Sequence, residues 1–124
     1  MTTNLIFTPI VPRVRLVGGD NSAEGRVEIS INGTWGTICD DFWGATEASV
    51  TCRSLGYLRA TEVTCCSQFG VGSAEIILDD VICLGHEDNL LDCRHGGIGQ
   101  HNCGNGEHVG VVCTNTSKFL GMAM

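Results

Sequence analysis

At 124 residues the chain fits one domain on a prior of about 100–200 residues each, and such a chain buries about two-thirds of its unfolded surface, enough for a modest core. With 43% hydrophobic and 17% charged residues it is not a disordered chain, and a net charge of −7 excludes a binder of phosphate backbones, which needs clustered Lys and Arg. No apolar run approaches the ~18 residues of a membrane span, and seventeen glycines against two prolines point to many turns and few long helices.

Met1 to Pro9 lacks the basic start and long apolar stretch of a secretory leader. Residues 1–12 therefore read as an extension or linker, and the chain as a module excised from a larger secreted or membrane-anchored protein. Val14–Val17 before Gly18-Gly19 is a short opening strand. Arg26–Ile31 alternates polar and apolar residues with period two, the pattern of a half-buried strand. Asn32-Gly33 is the strongest short hairpin signal, which makes Thr34–Cys39 the return strand. From Thr46 to Leu55 the pattern turns helical: Thr46 can cap, Ala48, Thr51, Cys52 and Leu55 recur at spacings of three and four, and Gly56 stands where a helix stops. Ala74–Val81 returns to strand character, Glu87–Cys93 with Leu90 and Leu91 is a short second helix, and Val109–Cys113 closes as a strand. The stretches 56–73 and 94–108 read as Gly-rich loops. The domain spans 13–114, with 115–124 a linker or tail, and its class is a small α+β fold.

The eight cysteines fall at 39, 52, 65, 66, 83, 93, 103 and 113. An even count suits a disulfide framework in a secreted or extracellular setting. Zinc sites announce themselves as paired C-x₂₋₄-C knuckles; here only Cys65 and Cys66 are close, and adjacent residues are poor partners for one tetrahedral ion. Two glycosylation sequons, at Asn32 and Asn115, fit a secretory route.

Six motifs, in order, resemble the scavenger receptor cysteine-rich (SRCR) domain over about residues 13–114: Val14-Arg15-Leu16-Val17-Gly18-Gly19, Glu24-Gly25-Arg26-Val27-Glu28, Gly33-Thr34-Trp35-Gly36-Thr37-Ile38-Cys39-Asp40-Asp41, Cys52-Arg53-Ser54-Leu55-Gly56-Tyr57, Leu78-Asp79-Asp80-Val81 with Cys83, and His101-Asn102-Cys103. The resemblance implies a disulfide-stapled curved sheet cradling one main helix, and the pairings Cys39–Cys103, Cys52–Cys113 and Cys83–Cys93. The eight-cysteine group of the family carries cysteines near Ser22 or Ala23 and near Tyr57; this chain has neither, so it is similar to the six-cysteine group A with Cys65 and Cys66 added. Three readings of that pair stay open: a vicinal disulfide, a bridge to another chain or domain, and two free thiols.

If Cys39 and Cys103 are bonded, Asp40 and Asp41 directly after one and Glu107 four residues after the other are drawn to one patch. Three like charges so gathered raise a pKa or take in a cation, and hard oxygen ligands favour Ca²⁺ or Mg²⁺. In several SRCR domains the positions of Asp40, Asp41 and Glu107 hold a cation, and in some a second site uses those of Asp79 and Asn102. Where members carry Glu-Asp in the final loop this chain has Glu107-His108, which weakens that second site or makes it pH-sensitive through His108. The blander readings are turn or capping roles for Asp40, Asp41, Asp79 and Asn102. His86, His95, His101 and His108 read as solvated loop residues, Trp35 and Trp43 as core, and Arg94-His95 as a small basic spot.

Nucleophilic hydrolysis needs Ser or Cys beside an oriented His; no G-x-S-x-G word occurs, nor a Gly-Lys-Ser/Thr phosphate loop, so the chain is not read as an enzyme. The resemblance implies instead an extracellular module that binds polyanions or host and microbial proteins through a weakly held Ca²⁺ or Mg²⁺, beside neighbouring domains of a longer chain. It implies neither nucleic-acid specificity nor membrane insertion. A structural or assembly module of a secreted protease or lysyl oxidase-like protein, linked through Cys65 and Cys66, is the alternative.

Overall fold

The computed structural model describes residues 13–71, 75–104 and 106–116, so the opening extension and most of the tail lie outside the described residues. Strands β1 (Arg13–Gly18), β2 (Glu24–Ile31), β3 (Thr34–Ile38), β4 (Arg59–Thr64), β5 (Ile76–Leu78) and β6 (Gly110–Thr114) form one sheet, with helix α1 (Ala45–Ser54) between β3 and β4. Strand β2 is the hub. One of its edges is taken by β1 from Gly25 to Ser30. Its other edge is shared, β6 pairing Glu24–Arg26 and β3 pairing Glu28–Ile31. The change of partner falls at Val27, whose N–H donates to Val109 O at 3.0 Å, and there the sheet curls. Strand β4 extends β6 antiparallel, and β5 joins β3 in parallel.

The β2–β3 hairpin follows from its turn: Asn32 and Gly33 have φ of 55° and 87°, the left-handed pair a two-residue turn with the right twist requires. Gly36 leaves room for β5, since a Cβ there would lie 2.5 Å from Ile77 Cγ1. The core inside the curl joins Val27, Ile29, Ile38, Leu78, Val81, Leu90, Val109 and Val111 to Ala48, Val50 and Cys52 of α1.

Five expectations need correction. Strand β2 is buried on both faces, not half-buried: Arg26 is 6% and Glu28 2% exposed. An ion network makes this tolerable, with Glu28 accepting from Arg15 at 2.7 Å and from Arg26 at 3.1 Å. Arg15 in turn lies 3.9 Å from the centre of the Trp35 ring, so this tryptophan is half-buried under a cation instead of filling the core. Helix α1 starts after Gly44, two residues earlier than a Thr46 cap allows; Glu47 supplies the side chain that accepts from Gly44 N–H at 3.0 Å. The stretch 56–73 contains β4, which its polar, largely exposed sequence did not advertise. The second helix is a single 3-10 turn, Leu90–Asp92, capped by Asn89. Glu87 lies outside it and accepts from Leu84 N–H at 2.7 Å and Gly85 N–H at 2.8 Å. These bonds hold the Glu87 carboxyl below its usual range, the Leu84 bond most of all. The far end of α1 closes as the sequence indicates: Gly56 at φ 93° lets its N–H reach Arg53 O and that of Tyr57 reach Cys52 O, both at 3.0 Å.

All eight cysteines are engaged. Cys52–Cys113 ties α1 to β6, Cys39–Cys103 ties the end of β3 to the final loop, and Cys83–Cys93 closes a short loop. Cys65 and Cys66 pair with each other, Cα atoms 3.7 Å apart.

Candidate functional site

The site forms where β3 ends. Cys39 N–H donates to Leu78 O at 2.9 Å and Asp40 N–H to Glu107 O at 3.0 Å, so the chain after β3 is held between β5 and the final loop. Glu107 folds back on its own turn, its Oε2 accepting from Gly104 N–H at 3.0 Å. With Cys39 bonded to Cys103, carboxylate oxygens of Asp41 and Glu107 come within 4.8 Å of each other and of both sulfurs.

Asp41 also belongs to a second group. Its carboxylate lies within 4.8 Å of those of Asp79 and Asp80, at the end of β5. Asp79 is buried at 4% exposure and accepts from Asp80 N–H at 2.7 Å, which bends the chain so that Asp80 sits at φ 58°. With its amide turned so that the nitrogen faces the acids, Asn102 donates to Asp41 Oδ2 at 3.1 Å and to Asp79 Oδ2 at 3.3 Å, bridging the two. Desolvation first, then the charges of Asp79, Asp80, Glu107 and Asp40, push the Asp41 carboxyl above its usual range. Asp80 is pushed up likewise by desolvation and by Asp79. A patch that strains to stay ionised attracts a cation. Oxygen donors from carboxylates and one amide suit a hard divalent ion.

Asp41, Glu107, Asp79 and Asn102 therefore converge. Asp40 does not join them: its carboxylate lies within 4.8 Å of the Cys65 and Cys66 sulfurs instead. Adjacent residues leave the backbone in different directions, so a neighbour in sequence need not be a neighbour at the site. Asp80, weighed beside Asp79 in the sequence but not named there as a ligand, is a further member of the group. His108 is corrected. It is 2% exposed, paired through Nδ1 with Thr37 Oγ1 at 2.8 Å, and turned toward Arg26 and Glu28 in the interior. It is therefore neither solvated nor part of the acidic group, and burial holds its pKa below the usual imidazole value.

Beside the acids runs a cleft of about 290 Å³ lined by Phe42, Asp80, Ile82, Arg94, His95 and Gly96. Phe42 projects into solvent at 71% exposure, from a backbone at φ 64°. Asn32 and Asn115, the sequon asparagines, are both exposed.

The family profile described as "Scavenger receptor cysteine-rich domain" matches residues 17–114. A scavenger receptor cysteine-rich domain superfamily protein of Patiria pectinifera is 47% identical over 114 residues, 92% of this chain and 10% of that protein. Galectin-3-binding protein of Rattus norvegicus is 45% identical over 107 residues, 86% of this chain and 19% of that protein. The chain thus spans a fifth or less of these relatives. Among solved structures, the third SRCR domain of murine neurotrypsin superposes with a TM-score of 0.76 at 45% identity, covering 87% of this chain and all of that one. The SRCR domain of mouse MARCO, in its dimeric form, gives 0.68 at 46% identity, covering 82% of this chain and 94% of that one.

Proposed function

The chain belongs to the scavenger receptor cysteine-rich family, whose domains are non-catalytic recognition modules, and from that we propose that it is an extracellular ligand-binding domain working through a divalent cation at Asp41. The observation that carries the reading is the double membership of Asp41, whose carboxylate meets Glu107 on one side and Asp79 and Asp80 on the other. Ca²⁺ or Mg²⁺ would be held by Asp41 with Glu107, and by Asp41 with Asp79, Asp80 and Asn102, neutralising the repulsion that adds to desolvation in raising the Asp41 pKa. Rotation of the Asn102 amide by half a turn replaces its nitrogen by its oxygen at the face it shares with Asp41 and Asp79, exchanging a donor for a ligand.

A cation so held keeps coordination positions for an anionic ligand oxygen, while the surrounding acids accept Lys or Arg of a protein partner. The chain's charge of −7 favours this over direct capture of polyanions by a basic face. Galectin-3-binding protein, 45% identical, is by its name a binder of a protein, which supports protein-directed recognition here. Residues 13–114 are the proposed recognition domain, Asn32 and Asn115 its proposed glycosylation sites. No helix among the described residues is long and apolar enough to cross a membrane.

The test is binding of a panel of sulfated polysaccharides and extracellular proteins to the full chain, with and without chelator. Ligands should be retained in calcium and released by chelator, and D41A and E107A should lose them in calcium. Chelator-resistant binding unaffected by either substitution would overturn the reading.

A further inference from the structure

Cys65 and Cys66 are the two cysteines that neither the core nor the recognition site uses. We propose that their bond is a thiol-exchange site, opened and reclosed by small thiols from solution and selective for cationic ones through Asp40. The inference stands apart from the cation reading.

Access comes first, because exchange requires a thiolate to reach a disulfide sulfur. Cys65 and Cys66 are exposed, whereas Cys39, Cys52, Cys83, Cys93 and Cys113 are all at or below 8% exposure and Cys103 is half-buried. Consequence comes second. Cys39–Cys103, Cys52–Cys113 and Cys83–Cys93 bridge separations of 64, 61 and 10 residues, so each restrains the unfolded chain. Cys65–Cys66 bridges a separation of 1 and closes no such loop. Opening it leaves the fold standing.

The turn that presents the sulfurs is anchored independently of them. Gln68 N–H donates to Cys65 O at 3.1 Å, Gly70 N–H to Ser67 O at 2.9 Å, and Ser67 and His108 exchange bonds of 3.0 and 3.3 Å. Cys66 and Ser67 have φ of 63° and 60°, a conformation that residues with side chains adopt infrequently and that these contacts enforce. Two thiols held on such a turn stay adjacent and reclose readily.

The chemistry balances without an added oxidant. A thiolate RS⁻ attacks one sulfur and forms a mixed disulfide, and the other cysteine leaves as a thiolate that takes a proton from water. Its return attack on the mixed disulfide expels RS⁻ and restores the ring. Full opening uses two thiols, which are oxidised to RSSR while the pair gains two electrons and two protons.

Selectivity follows from charge. The Asp40 carboxylate lies within 4.8 Å of both sulfurs, which sets the charged end of an attacking thiol about 6 Å from it, where in water-like surroundings a unit charge changes an encounter about threefold. A thiol bearing an ammonium should therefore open the bond about tenfold faster than one bearing a carboxylate, both rates being normalised to a small neutral disulfide.

The test treats the full chain with cysteamine or mercaptoacetate at low salt, quenches by alkylation and maps the labelled cysteines by non-reducing peptide mass spectrometry. Cys65 and Cys66 should be labelled first with the other six intact and circular dichroism unchanged, cysteamine should lead by about tenfold, and D40N or about 1 M salt should erase that lead. C65S/C66S should take up no label over the same range. Labelling of any other pair at equal or lower thiol, protection of Cys65 and Cys66 until the protein unfolds, or equal rates for the two thiols would overturn the proposal.

Discussion

Glu47 offers the most exacting test of how the site is positioned. Its carboxylate, 6% exposed, accepts from Gly44 N–H at 3.0 Å at the start of α1 and from Cys83 N–H at 2.8 Å. That second bond pins the segment leaving Asp79 and Asp80 to the helix. In Glu47→Ala the Cys83 N–H, in a residue 8% exposed, is left buried without this acceptor, at about 1–3 kcal/mol, and the half-buried Gly44 N–H loses a charge-assisted bond as well. The sum is about 3–4 kcal/mol. For a domain of this size each kcal/mol moves the melting temperature by roughly 3–5 °C, so Glu47→Ala should melt roughly 10–20 °C lower by circular dichroism, its disulfides intact. Glu47→Gln retains one carbonyl oxygen and one donor bond's worth of support, and should lose about half as much. A Glu47→Ala melting temperature within about 2 °C of the parent would refute the reasoning.

Among the described residues the buried Arg26 guanidinium bonds the Glu28 carboxylate and Phe69 O, and Glu28→Ala should cost about 3–5 kcal/mol in urea unfolding through the uncompensated charge. Glu87 has a lowered pKa, so its stabilisation is complete above its unfolded value of 4.5 and is lost as pH falls through the lower folded value. Urea midpoints of Glu87→Gln should accordingly fall less with acid than those of the parent. Removing Cys52–Cys113, which bridges a separation of 61 residues, should cost about 4 kcal/mol, whereas C65S/C66S should leave the urea midpoint within experimental error of the parent.

The elements legible in the sequence were those whose signal is local. Asn32-Gly33 specifies its hairpin wherever it occurs between strand patterns, and Gly56 ends α1 by a conformation open to glycine. Strand β4 is different: Arg59, Thr61 and Glu62 carry no apolar alternation, and a register shift between Ala60 and Glu62 breaks what remains. Its strand character comes from pairing with β6, more than 45 residues away. The burial of β2's polar face likewise depends on Arg15 arriving from β1 opposite Glu28. At the site, Asp41 and Glu107 could be anticipated once the resemblance supplied the Cys39–Cys103 link. The separation of Asp40 from Asp41 could not, because it depends on which way each side chain leaves a turn. Nor could the inward turn of His108, which is decided by Thr37 on the neighbouring strand.

The central claim is that Asp41 organises a divalent-cation site. Isothermal titration of Ca²⁺ into the chelator-stripped full chain, beside D41N, addresses it directly. The account predicts saturable binding with Kd on the order of 10⁻⁴–10⁻³ M that D41N abolishes; absence of saturable heat in the parent chain, or an unchanged isotherm in D41N, would contradict it.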